Sequence, residues 1–168
     1  MMVAPAQAVE QDGLPPCSWR YVKEVTYPLT TGEGKTFRAL TTEEVKEKWQ
    51  IEREWGLQER GKILPGGFGT GGALNVFYPQ GSINPGNDNA PRGGMGFYAT
   101  SGFGEKGVEA ACLRYRVHFP RDFAFAKGGK LPGLYGGEPP SGCKKDAEIK
   151  GFSTRYMWRK EGKGTLYA

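Results

Sequence analysis

The chain has 168 residues, 38% hydrophobic and 12% aromatic, with a formal net charge of +5. That length suffices for one domain with a real core, and the apolar content excludes a disordered chain. Glycine accounts for 27 residues, about 16% against a usual ~7%, which predicts short strands joined by tight turns and little helix.

Charge is uneven: residues 108–168 carry 12 Lys and Arg against 6 Asp and Glu. A basic last third suits an anionic partner, whether nucleic acid, acidic glycan or membrane surface, and suits a simple solubility charge equally well. Cys17, Cys112 and Cys143 show no CxxC spacing and there is one His, so no metal site is expected, zinc needing about four such ligands. One disulfide, with Cys112–Cys143 as the pairing, and three free thiols both fit. With no run of ~18 apolar residues, no transmembrane helix is expected. No signal peptide is visible at the start.

In chain order, residues 1–16 read as a flexible tail ending in Pro15 and Pro16, and 17–168 as one domain without internal repeat. Arg20 to Tyr27 reads as a strand with apolar points Tyr21, Val25 and Tyr27, followed by a loop at 31–35. Thr41 to Trp55 is the one good helix. Thr41 and Glu44 form a capping box, Val45 and Trp49 share a face, and Gly56 stops it. Trp49 and Trp55 are read as packing residues before ligand-stacking ones. Gly67, Gly69 and Gly72 match GxGxxG, but ALNVFYP comes next. That is β-branched and aromatic, so a strand succeeds a glycine turn and dinucleotide binding is set aside. Residues 81–94 form a long turn-rich loop, and 95–100 a short strand.

Val108 to Phe119 gives the clearest strand pattern. Leu113, Tyr115, Val117 and Phe119 alternate with Cys112, Arg114, Arg116 and His118, so one face is apolar and one cationic. The cationic face suits solvation or an anionic ligand. Strands at short spacing, few helices and Gly/Pro turns predict an all-β sandwich or barrel.

The stretch from Lys127 to Tyr167 carries the chemistry. From 149 to 159 apolar and polar positions alternate, with Ser153, Arg155, Met157 and Arg159 on one side. A hairpin centred near Glu161–Gly162 brings Tyr167 level with Arg155 to Met157. Ser, Arg and Tyr thus converge. A serine triad would need His118, which has no acid partner suggested by sequence. Glycoside hydrolysis needs two carboxyl groups, and this stretch is poor in them. β-Elimination on a uronic acid polymer needs neither. Arg or Lys neutralises the carboxylate that makes the C5 proton acidic, Arg often bidentately. A base takes that proton and an acid protonates O4. A tyrosine can do either if cations lower its pKa from the ordinary ~10.

KGGKLPGLYGG (127–137), SGC (141–143), GFSTRYMWR (151–159) and GTLYA (164–168) resemble polysaccharide lyase family 14. The family includes alginate and glucuronan lyases. CLRYRVHFP and GALNVFYPQGS add to the likeness, which covers roughly residues 60–168. The resemblance implies a β-jelly roll with one or two short helices, and a secreted, monomeric, cofactor-free lyase acting on acidic polysaccharide, not on nucleic acid or membrane. It implies Lys130 as the residue neutralising the substrate carboxylate, Ser153 and Arg155 as fixing the uronate, and Tyr167 as acid/base. Lys127 is a second candidate for the lysine's role. Tyr135 suits a turn before sugar stacking, and Arg114, Arg116 and His118 suit substrate binding. The family pattern expects a second tyrosine two residues past Tyr167, so the jelly roll reads as incomplete at its C-terminus. A non-catalytic binding module on the same fold is the alternative; a nucleic-acid binder rests on the charge alone.

Overall fold

The computed structural model describes residues 25–33, 36–66, 71–100, 102, 107–137 and 150–168. The chain forms two compact units, Met1–Lys106 and Gly107–Ala168. Strands hold 31% of the described residues and helices 12%, which is the all-β class the glycine-rich composition predicts. The described strands pair into five small antiparallel sheets; the jelly-roll closure implied by the resemblance goes beyond them. Among the described residues no helix is long and apolar enough to cross a membrane.

In the first unit, β1 (Thr30–Thr31) pairs with β2 (Arg38–Ala39), β3 (Ile51–Trp55) with β6 (Gly96–Ala99), and β4 (Gly61–Leu64) with β5 (Ala73–Val76). The core is Leu40, Val45 and Trp49, with Tyr27, Leu29, Ile63, Leu74 and Phe97 packed around it. Trp49 is therefore a packing residue. Its indole N–H donates to the Pro28 carbonyl at 2.8 Å, so its polar end is satisfied inside.

Helix α1 (Thr42–Lys48) starts where the capping box predicts, with both reciprocal bonds present. It stops at Lys48, and the expected helix to Trp55 is corrected. Helical spacing beyond Trp49 reaches Glu52 and Arg53, which have no apolar face to bury. Gln50 turns left-handed (φ 49°), and Ile51–Trp55 then pairs as β3. Gly56, also left-handed (φ 78°), opens α2 (Leu57–Arg60). Val25 and Tyr27 lie outside any strand; the rest of the first predicted strand and the 1–16 tail lie outside the described residues. Residues 67–70 of the GxGxxG stretch do too, but the next element in the chain is strand β5 and not a helix.

The cap also carries a pH dependence. Arg38 donates to both Glu44 oxygens at 2.7 and 2.6 Å, and the Thr41 N–H donates at 2.8 Å. The guanidinium first, and the backbone N–H second, hold the Glu44 carboxyl at about 2 against an ordinary 4.5. A depressed folded value gives stability that is complete above about pH 4.5 and is lost as pH falls through about 2. Glu44→Gln is expected to lower the urea midpoint at pH 7 by a small amount and to lose that effect toward pH 2. A difference of constant size across that range would contradict the assignment.

In the second unit, β7 (Gly129–Lys130), β10 (Arg155–Trp158) and β11 (Gly164–Tyr167) form a three-stranded sheet with β10 in the middle; β8 (Tyr135–Gly137) pairs with β9 (Gly151–Ser153). Both sheets come from one long pairing of 129–137 against 151–158. Lys130 lies opposite Met157 and Tyr135 opposite Ser153, so the first strand carries one residue more between these points. The surplus is a bulge at Leu131–Leu134. It is pinned by Leu131 N–H to the Tyr156 carbonyl and Thr154 N–H to the Leu134 carbonyl, both 2.7 Å. Gly133 sits so close to the Thr154 carbonyl that any Cβ would overlap it.

Residues 108–119 form no strand, a correction to the strongest strand pattern in the sequence. The alternation itself persists: Leu113, Tyr115 and Phe119 are half-buried, while Cys112, Arg114, Arg116 and His118 are exposed. Val117 breaks it, being 44% exposed. Among the described residues the segment packs through side chains, and no backbone ladder is formed with it. The Tyr115 ring meets Tyr156, and its hydroxyl donates to the Pro132 carbonyl at 2.9 Å. Burial, and secondarily Tyr156, push the Tyr115 phenol up to about 12. Cys112 is disulfide-bonded, which excludes three free thiols; Cys17 and Cys143 lie outside the described residues.

Candidate active site

Strand β10 has two faces. Trp158 and Tyr156 point back; Arg155 and Met157 point forward. The back face is anchored by rings. Trp158, 7% exposed, meets Phe119 at 5.4 Å and Phe123 at 5.8 Å, and both phenylalanines meet Phe125. Its indole N–H donates to the Lys127 carbonyl at 3.1 Å. Gly129 lies directly beneath the indole, where a Cβ would overlap the ring. The KGGK motif is thus a packing device on one side and a placement device on the other. Bare Gly129 accepts the tryptophan at the back, and the next residue, Lys130, projects forward.

The hairpin fixes the front. Glu161 and Gly162 take left-handed backbone conformations (φ 62° and 73°), and the loop closes with Arg159 N–H to the Lys163 carbonyl at 2.7 Å. The resulting register sets Arg155 opposite Tyr167 and Met157 opposite Thr165. On the other side Lys130 lies opposite Met157. Lys130, Arg155 and Tyr167 therefore share one face. β7 and β11 are about 9.6 Å apart across β10, and the long lysine side chain crosses it. The Lys130 ammonium stands 5.5 Å from the centre of the Tyr167 ring. Ser153 lies two residues before Arg155, the spacing that puts both on one side of the strand.

The electrostatics of this face are one-sided. Among the described residues Lys130 and Arg155 make no ion pair with a carboxylate. Tyr167 is 44% exposed and Arg155 is half-buried. Two cations and a phenol without a carboxylate form a receptor for an anion beside a proton-transfer group. Among the described residues no three His, Cys, Asp or Glu side chains gather as a metal site would require.

The other sequence candidates divide. Tyr135 lies in β8 opposite Ser153, in a strand and not in a turn. Lys127 is exposed, and its carbonyl holds Trp158. Arg114, Arg116 and His118 alternate with residues that pack on the back of β10, and they are exposed. SGC (141–143) lies outside the described residues. Two residues on the forward side are absent from the sequence-based site. Alternation alone places Arg159 there, and Thr165 joins it once the hairpin register is known.

The family model for polysaccharide lyase 14 matches residues 69–168. The chain belongs to this family. No curated protein and no solved structure matches it. The match to polysaccharide lyase 14 covers all of the second unit, so the cationic face lies wholly within the family region.

Proposed function

We propose that the chain is a polyuronate lyase that cleaves alginate or glucuronan by β-elimination on the front face of the β7–β10–β11 sheet. The observation that carries this reading is the convergence of Lys130, Arg155 and Tyr167 on one face with no carboxylate partner among the described residues. Arg155 and Lys130 bind the uronate carboxylate and stabilise the charge that grows on it as the C5 proton leaves. Ser153 adds a hydrogen bond that holds the sugar. Tyr167 exchanges protons with the ring: the C5–H bond breaks, its electrons form C4=C5, the C4–O4 bond breaks, and O4 takes up a proton. Atoms balance without water, so each cut yields one unsaturated and one saturated end.

Cys112 in a disulfide supports a secreted enzyme, since oxidising compartments are where such bonds persist. The partner is the acidic polymer itself, and the enzyme acts as a monomer.

The test is a depolymerisation panel of alginate, glucuronan and a neutral glucan, read by the ultraviolet absorbance of unsaturated uronate. Absorbance is expected to rise on at least one uronate polymer and to stay flat on the glucan. Retention on alginate without product would sink the lyase reading and leave a binding module on the same scaffold.

A further inference from the structure

The front face of the sheet does not end at the residues assigned to the reaction. Arg159 succeeds Met157 on the same side of the strand and keeps extended backbone (φ −118°, ψ −178°), so its side chain continues the forward row. It lies four residues beyond Arg155, about 13 Å along the strand. Its guanidinium is held at one point: Nε donates to the Thr165 hydroxyl oxygen at 3.2 Å. Thr165 stands opposite Met157 on the same face. That bond uses the side of the fork nearest the strand and leaves both terminal nitrogens without a partner among the described residues. Among the described residues no carboxylate pairs with Arg159. The nearest acid in sequence, Glu161, pairs with Lys163 at 3.6 Å. Arg159 is thus an exposed cation, fixed in direction by a neighbour and without a counter-charge among the described residues.

We propose that Arg159, oriented by Thr165, is a second carboxylate-binding point, gripping a uronate farther along the same bound polymer than the one being cleaved. This rests on the polyuronate reading of the front face. A polyuronate carries a carboxylate on every sugar, so a row of spaced, forward-pointing cations matches its charge pattern. Two terminal nitrogens of one guanidinium match the two oxygens of one carboxylate. The consequence is a preference for chain length. Arg155 acts at the reacting sugar and Arg159 touches only polymers long enough to reach it.

Steady-state kinetics on size-fractionated oligouronates, trimers against octamers, test this with Arg159→Ala, Arg159→Lys, Thr165→Val and Lys160→Ala. Lys160 is the adjacent exposed cation, in the hairpin loop, and its loss removes the same charge from outside the row. Arg159→Ala is expected to raise KM on octamers by roughly tenfold to a hundredfold, the range of one charge-assisted hydrogen bond. kcat should stay within about twofold, and the KM penalty should shrink on trimers. Arg159→Lys should recover part of the affinity, and Thr165→Val should lose part of it. A penalty equal on trimers and octamers, equal to that of Lys160→Ala, or missing altogether would overturn the proposal. If the wild type cleaves no uronate, the lyase reading falls and electrophoresis through alginate-containing gels decides this one. Weaker retardation of Arg159→Ala than of Lys160→Ala supports the second point, and equal retardation removes it.

Discussion

Tyr167→Phe is expected to lower kcat by about 10²–10⁴, the usual worth of a positioned proton-transfer group, with little change in KM. The hydroxyl is the only group removed. The ring stays, so the Lys130 ammonium keeps its aromatic neighbour 5.5 Å away and β11 keeps its register against β10. Folding should be untouched, because Tyr167 is 44% exposed on an outer strand. Arg155→Ala makes the informative comparison. It removes charge at the point where the transition state is more negative than the ground state, so turnover should fall about 10²–10³. It also removes substrate binding, so KM should rise as well. Arg155→Lys should recover only part of the loss, since an ammonium cannot hold a carboxylate with two parallel bonds. A phenylalanine variant that turns over at the wild-type rate would remove Tyr167 from the reaction and leave the face as a binding surface alone.

The second large effect is on stability. Trp158→Ala should cost about 3–5 kcal/mol, the range for deleting a large buried aromatic. The indole is 7% exposed and fills the space between Phe119, Phe123 and Gly129. Its loss also leaves the Lys127 carbonyl without the 3.1 Å bond it receives. Trp158→Phe keeps a ring and loses the bond, so beyond the volume difference it should cost about 1 kcal/mol relative to the wild type for that bond. Urea unfolding followed by circular dichroism reads both. Because Arg155 and Trp158 belong to the same four-residue strand, the site depends on this packing. Activity of Trp158→Ala should track the folded fraction. A variant that stays fully folded in urea to the wild-type midpoint would show that the aromatic cluster does not hold β10 in place.

Much of the second unit is legible in the sequence because its information is local. The alternation from 149 to 159 and the glycine after Glu161 predict both the strand and the turn. The observed pairing of Arg155 with Tyr167 comes from those two features alone. Lys130 is legible only through resemblance to the family. Nothing in residues 127–137 announces that this segment pairs with β10, since that contact spans more than twenty residues and depends on the bulge at Leu131–Leu134. Gly129 and Gly133 are visible as glycines. Their reasons, an indole on one and a carbonyl on the other, are tertiary.

Two of the secondary-structure corrections have a common cause. Val108–Phe119 alternates as a strand does, yet no described backbone pairs with it; ring contacts and the Tyr115–Pro132 bond hold it in place. Pattern reports which side chains are inward and not what the backbone bonds to. Ile51–Trp55 continues a plausible helix until Glu52 and Arg53 meet the core-facing positions, where pairing with β6 wins. In both places the sequence pattern locates the apolar positions and is silent on the backbone partner.

The central claim is that a cationic sheet face and a phenol break a sugar–oxygen bond by elimination, and the new chain ends decide it. Proton NMR of an exhaustive uronate digest by the wild-type protein should show one C4=C5 double bond for every new reducing end. Saturated ends on both sides of each cut would mean hydrolysis. Those ends, or an intact polymer, would contradict the account.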